Sequence, residues 1–373
     1  MLETWLRPVA PTVESLCTSL LSYQFGHHIH IYTEKKGLPP LKNAQLAIIG
    51  LDAKAADAVR QHLYALSFPF ASLNAVDLGN VRKYHSETII PVLKELLSAG
   101  IVPILIGGND ADLPYMQYRS YRHLEQMVTI GLVSDKIPYL MGENWQLKPD
   151  FWLNRIVSPP ENYLFNLSVL GYQSHFTNPS VLTWLEARYF EYLRLGRLKQ
   201  HLDEAEPLLR DADLVCINLN AVKQADAPAV SQPSPNGLTA EELCQLCRYA
   251  GFSDKLSSFS LYNMVIETDQ TTQTAQLAAQ AIWYFIDGFA SRKHDYPVVA
   301  THFNEYVVQL NDLDKPLTFW KSNRSERWWL QVPTQLPEKK QRHQLFPCSY
   351  QDYLNACNNQ LSDRLLVALS RFN

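Results

Sequence analysis

The sequence predicts an α/β fold, a three-layer α/β/α sandwich around a mostly parallel sheet. Two observations point to it. Short apolar, β-branched runs alternate along the chain with segments of helical periodicity, the pattern of parallel strands covered on both faces. The chain is also long and apolar enough to fill such a core, with 373 residues, 46% apolar content, 15 Phe, 19 Tyr and 8 Trp.

The elements follow in order. Residues 44–51 (AQLAIIGL) read as a strand, followed by a helix over about 53–66. Residues 87–99 form a helix through Ile89, Ile90, Leu93, Leu96 and Leu97, Gly100 ends it, and 101–106 is the next strand. Strands follow at 128–134 and 163–170. The aromatic-rich stretch 180–195, with Trp184, Tyr189, Phe190 and Tyr192, reads as a helix. Then come a strand over 213–220, a helix over 240–250, a strand over 257–265 and a long helix over about 273–292. In parallel sheets function gathers at the carboxyl ends of strands, so 107–112, 134–139, 218–220 and 262–265 are the segments to inspect.

Beyond residue 297 the pattern changes. Strand-like runs at 306–310, 317–321 and 327–332 are separated by turn residues, 333–342 reads as a polar loop, and 349–359 and 362–372 read as helices. The organisation is an N-terminal extension (1–43), an α/β domain (44–296) and a C-terminal ribbon-and-helix appendage (297–373) packed on it.

Composition narrows the function. A net charge of −4 gives no electrostatic case for nucleic acid. The six cysteines are too sparse for a disulfide framework, and Cys244 and Cys247 read as two thiols on one helical face. No apolar window is long enough to cross a bilayer, and the N-terminus lacks a basic start and an apolar stretch, so a cytoplasmic protein is expected. His27, His28 and His30 alternate as in a strand and read as structural rather than as a metal tract. The Tyr118–His123 cluster reads as a solvated helix face rather than an anion site. Arg327-Trp328-Trp329 reads as a buried ribbon packing the appendage onto the core.

The strand ends carry a more specific signal. Pro103-Ile-Leu-Ile-Gly107-Gly108-Asn109-Asp110 resembles P-[IV]-x-L-G-G-D-H of the ureohydrolases (arginase, agmatinase, formimidoylglutamase). The 128–139 segment resembles their strand leading into D-A-H-x-D. Asp213-Leu-Val-Cys-Ile-Asn218-Leu-Asn220, followed by Pro228 and Pro235-Asn236-Gly237-Leu238-Thr239, resembles their S-x-D-x-D … P … G-G-L-T segment. Further matches, at 234–238, 247–256, 273–277, 282–289 and in the C-terminal 321–353 region, are similar to a formimidoylglutamase-like branch found in Bacteroidetes. The resemblance implies an arginase-like fold with about eight strands, and an ancestral site holding two Mn2+.

At the positions that the resemblance aligns with metal ligands, this chain has Asp110 for His, Asp135 for the first Asp, Ile137 for His, Tyr139 for Asp, and Asn218 and Asn220 for the two strand-end Asp. Asn263 stands where the family has its substrate-contacting Glu. A manganese pair brings four positive charges, and amides supply none to balance them. The expectation is therefore a non-catalytic ureohydrolase-fold protein without cofactor, acting on an unknown protein partner or by self-association. Two alternatives stand beside it: a formimidoylglutamase-like hydrolase of linear amidine or guanidino bonds with a degenerate site, and a small-ligand sensor using the old pocket. Asp110, Asp112 and Asp135 are the candidates for a single hard ion.

Overall fold

The computed structural model describes residues 2–371 apart from 143, 147, 297–299, 312–314 and 333–343. The expected polar loop at 333–342 lies outside the described residues. Strands β1 (Leu6–Arg7), β2 (His30–Ile31), β3 (Leu46–Gly50), β4 (Ala75–Val81), β5 (Val102–Ile106), β6 (Val128–Val133), β7 (Leu164–Tyr172), β8 (Glu191–Arg194), β9 (Leu214–Asn218) and β10 (Ser258–Tyr262) form one sheet. Its order is β1-β4-β3-β5-β10-β9-β6-β7-β8, with β2 also on β4. Every pairing from β4 across to β8 is parallel, which gives the expected eight-stranded core. The segment before residue 44 adds two short strands at the β4 edge, β1 antiparallel and β2 parallel.

Alternate residues of each buried strand feed two cores, one per face. Val215 and Ile217 of β9 pack with Ala250, Ile282 and Phe285 of the helices Ala240–Gly251 and Gln273–Ala290. Leu214 and Cys216 pack on the other face with Leu93, Tyr121 and Leu185. A side chain of this size, fully buried, contributes about 1.5–3 kcal/mol. The helices Ala240–Gly251 and Gln273–Ala290 touch through two glycines. A Cβ on Gly251 would lie 2.2 Å from the Phe285 carbonyl oxygen, and one on Gly288 2.3 Å from that of Arg248. Substitution at either position would force the helices apart.

Two readings of the sequence are corrected here, and one strand it did not predict is present. The helix expected over 180–195 stops at Glu186, because Tyr189 takes φ +56° and the chain turns into strand β8. Strand β4 (AVDLGNV) had no apolar signature. Its buried Asp77 and Asn80 accept from Arg60 at 2.8 and 2.6 Å, and Tyr64 Oη donates to Asp77 at 2.6 Å. An ion-paired partner on the neighbouring helix lets polar residues occupy a buried strand. Finally, His27 and His28 lie in a helical turn, Phe25–His28, where His28 stacks on Phe68.

The C-terminal sheet runs β11 (Phe303–Val308), β12 (Leu317–Ser322), β13 (Trp328–Gln331) and β14 (Leu345–Cys348), all antiparallel. Strand β14 is an addition to the three runs expected. Trp328 and Trp329 are buried as read, and Arg210 of the core lies 4.4 Å over the Trp329 ring. Helices Tyr350–Cys357 and Asp363–Ser370 complete the appendage.

Candidate functional site

Strands β5, β10, β9 and β6 are neighbours at the centre of the sheet, so their carboxyl ends converge. β9 ends at Asn218, and a single helical turn, Leu219–Ala221, follows, so Asn218 and Asn220 do not share a strand face as the sequence suggested. The Asn218 side chain bends over that turn and accepts from the Asn220 backbone N–H at 3.0 Å. β10 likewise ends before Asn263, which takes φ +65° and turns its amide inward.

The result is a closed amide network. Asn263 Nδ2 donates to Asn218 Oδ1 at 2.9 Å, and Asn218 Nδ2 donates to Ser134 Oγ at 3.1 Å. Asn220 Oδ1 accepts from Ser231 Oγ and the Gln232 N–H at 3.1 and 3.0 Å, while its Nδ2 donates to Ser231 Oγ at 3.0 Å. Gln232 accepts in turn from Lys136 Nζ. A second amide pair, Gln173 with Asn236, joins the loop after β7 to the Pro235–Gly237 turn through two bonds of 3.1 Å. Asn218, Asn220 and Gln173 each both donate and accept through their side-chain amides, so these groups are satisfied without charge.

The carboxylates fall into two places. Asp135 is buried beside this network at the end of β6, with one oxygen, Oδ1, lacking a hydrogen-bond partner. Burial raises its pKa above the ordinary aspartate value, opposed by Lys136 and Ser134. Asp110 sits apart. Its Oδ2 accepts from the Gly108 N–H at 3.0 Å, and no hydrogen bond links it to Asn218. Burial pushes Asp110 up to about 6, opposed by the Gly108 N–H and reinforced by Asp52 and Asp112. The strand end comes close to Asp52, because a Cβ on Gly108 would lie 2.8 Å from Asp52. Asp112 is engaged elsewhere: it accepts from Tyr84 Oη at 2.9 Å and pairs with Arg155 at 3.4 Å.

The two remaining expected positions are turned into the hydrophobic layer. Ile137 is buried, and the Tyr139 ring stacks on Trp184 at 3.8 Å between centroids. Among the described residues, no group of three or more His, Cys, Asp or Glu side chains is arranged to hold a metal ion. Sequence reasoning missed Ser231, Gln232, Gln173, Tyr84 and Arg155. Only Asp52, at the end of β3 and capping the helix Ala53–Leu63, was within reach of the strand-end rule. The Tyr118–His123 cluster is corrected as well: Tyr118 and Tyr121 are buried, and only Arg122 and His123 face solvent fully.

Comparison with known proteins agrees with the fold. Residues 166–287 match the model of the arginase family. A formimidoylglutamase of Staphylococcus aureus (strain MRSA252) is 26% identical over 246 residues, spanning 62% of this chain and 77% of that protein. The chain is similar to the arginase (ureohydrolase) superfamily in sequence and in fold. Its arginase-like fold is shared with the formimidoylglutamase of Bacillus subtilis, with a TM-score of 0.59 at 16% identity over 67% of this chain and 88% of that one. Formiminoglutamase of Trypanosoma cruzi, solved with Mn2+, gives 0.59 at 17% identity over 68% and 96%. Agmatine ureohydrolase of Thermoplasma volcanium gives 0.54 at 16% identity over 74% and 97%. In this chain the donor set does not fit a manganese pair. Asp135 and Asp110 are the only carboxylates at the aligned positions, and the amides offer oxygen without charge. Among the described residues, no helix is long and apolar enough to cross a membrane.

Proposed function

We propose that this arginase-superfamily chain is a pseudoenzyme: a cytoplasmic, metal-free protein of the formimidoylglutamase-like branch that acts as a protein-binding or scaffolding module. One observation carries the reading. The strand ends that would have to present charged ligands to a metal pair are instead tied to one another by Asn218, Asn220, Asn263, Ser134 and Ser231. Hydrolysis of an amidine carbon near neutral pH needs a strong nucleophile, which a metal pair supplies by acidifying water. The vestigial positions Asp110, Asp135, Ile137, Tyr139, Asn218 and Asn220, with Asn263 at the substrate position, provide neither the charge balance for such ions nor a histidine. The pocket's amides and hydroxyls bond to one another, which holds the shape of the strand ends without an ion. Function then rests on the outer surface, toward a protein partner or a second copy.

The formimidoylglutamase relatives favour a second reading: hydrolysis of formimidoyl-glutamate or a related amidine with a single ion on Asp110, Asp112 or Asp135. Metal analysis of the purified protein, with an amidine-hydrolysis assay in added Mn2+, separates the two. The pseudoenzyme reading expects no stoichiometric metal and no turnover. Two Mn per chain with turnover overturns it, and turnover with one bound ion establishes the second reading. Affinity capture from the native cell expects a stoichiometric protein partner. A small-molecule sensor would show none.

A further inference from the structure

Buried charge gathers in a second place, the seam between the core and the C-terminal appendage. There Arg364 and Arg371 flank edge strand β8. Arg364 Nε lies 3.0 Å from Glu191 Oε1, and Arg371 Nη2 lies 4.0 Å from Glu191 Oε2. Arg371 Nη2 also donates to Asn166 Oδ1 at 2.9 Å and to the Tyr189 carbonyl at 2.5 Å. Both guanidiniums stand over the Phe346 ring, at 4.8 and 5.8 Å from its centre. The Arg371 side chain is only 8% exposed.

One carboxylate does not satisfy these two cations. Glu191 Oε2 already accepts from Asn166 Nδ2 at 2.9 Å and from Ser168 Oγ at 3.5 Å. Asp211, the other carboxylate acting on Arg371, is held by Lys255 at 2.6 Å. Asp352, nearby in the appendage, caps its own helix from the Ser349 N–H. Arg364 Nη2 and Arg371 Nε and Nη1 are left buried with no partner. Further along the seam Arg210 and Arg327 share Glu206 at 2.9 and 3.3 Å, but there the buried atoms without a hydrogen-bond partner include the Glu206 Oε1 acceptor as well as Arg210 Nε, Arg327 Nη1 and Trp329 Nε1. All the orphaned atoms around Glu191 are donors. A buried unpaired N–H on a charged group is among the more costly features a fold can retain.

We propose that the Arg364–Arg371 seam is a binding site for a small oxyanion of the phosphate or carboxylate class, with Phe346 as its floor. Three free N–H groups on two planar guanidiniums suit a ligand that accepts several hydrogen bonds at once. The anion would tie the Asp363–Ser370 helix to β8, so appendage docking would respond to it. The inference does not depend on whether the strand-end site is catalytic.

Titration calorimetry of the full chain with inorganic phosphate, and separately with acetate, at ionic strength matched with NaCl, tests it. One saturable site per chain is expected for at least one of the two anions, and the tighter binder identifies the class. Arg371→Met should weaken that binding by about tenfold or more. Arg364→Lys, which keeps the charge and loses the fork, should weaken it less, and serves if the first variant fails to fold. Glu191→Gln removes the competing carboxylate and should tighten binding while lowering stability, which a purely structural role for Glu191 would not produce. Absence of saturable binding by either anion overturns the proposal, as does binding that is equal in wild type and Arg364→Lys, which would mark an adventitious ion only.

Discussion

At the central strand ends, the hydrogen-bonded network is built mainly of amides and hydroxyls, beside the buried Asp135, whose Oδ1 has no partner. Asn218 receives from Asn263 and from the Asn220 N–H, and gives to Ser134, so its amide is satisfied on both sides. At the appendage seam the buried groups are guanidiniums, which only donate. Glu191 serves two arginines, and three guanidinium nitrogen atoms around it are left over. The contrast is one of donor–acceptor balance. A network of bifunctional neutral groups needs nothing from outside, whereas a network of pure donors stays open to an anion.

The sharpest way to break this comparison is at the seam. Glu191→Ala leaves Arg364 and Arg371 buried without their carboxylate and should cost about 3–5 kcal/mol in denaturant unfolding. A loss below about 1 kcal/mol, the range of an exposed pair, would show that the seam is wet rather than buried. The same test at the strand ends is Asn218→Ala, which strands Asn263 Nδ2 and the Asn220 N–H. A loss of about 2–3 kcal/mol is expected. A near-neutral result would mean that the amide network is not closed.

Asp110 provides a pH test. Its native carboxyl holds a proton up to about pH 6, while the unfolded chain releases it near 3.8. Between those values the native state binds more protons, so this group's contribution to stability falls as pH rises and the penalty is complete above pH 6. Asp110→Asn keeps an acceptor for the Gly108 N–H. It should therefore stabilise by about 1–2 kcal/mol at pH 7 and by almost nothing at pH 4. Equal effects at both pH values would remove the burial argument. The smallest expected effect is that of metal: wild-type melting should move by less than about 0.5 kcal/mol with Mn2+ or EDTA. Restoring charge with Asn218→Asp and Asn220→Asp together should lower stability without metal and make it responsive to Mn2+. If Mn2+ stabilises wild type just as strongly, the donor-set argument fails.

Much of the fold was legible because strands β3, β5, β6, β7, β9 and β10 are largely apolar runs between helical periods. Strand β4 was not, because Arg60, distant in sequence, is what makes Asp77 and Asn80 tolerable there. The 180–195 stretch failed for a local reason: a positive φ at Tyr189 is invisible to periodicity. At the site, Asn218, Asn220 and Asn263 were legible as positions through their strand ends, but not as a bonded set. Their mutual contacts depend on turns at 219–221 and 263 that apolar patterning does not encode.

By itself the sequence determined the chain's arginase-like fold class, its parallel core and the residue types at each strand end, since apolar runs and short motifs record local requirements. Tertiary structure alone decided which of those residues meet. It joined the three asparagines and two serines, set Asp110 apart from them, turned Ile137 and Tyr139 into the core, and buried the arginines of the seam. Those outcomes depend on neighbours far apart in the chain, where hydrogen-bond balance and desolvation decide the arrangement and no local pattern carries the information.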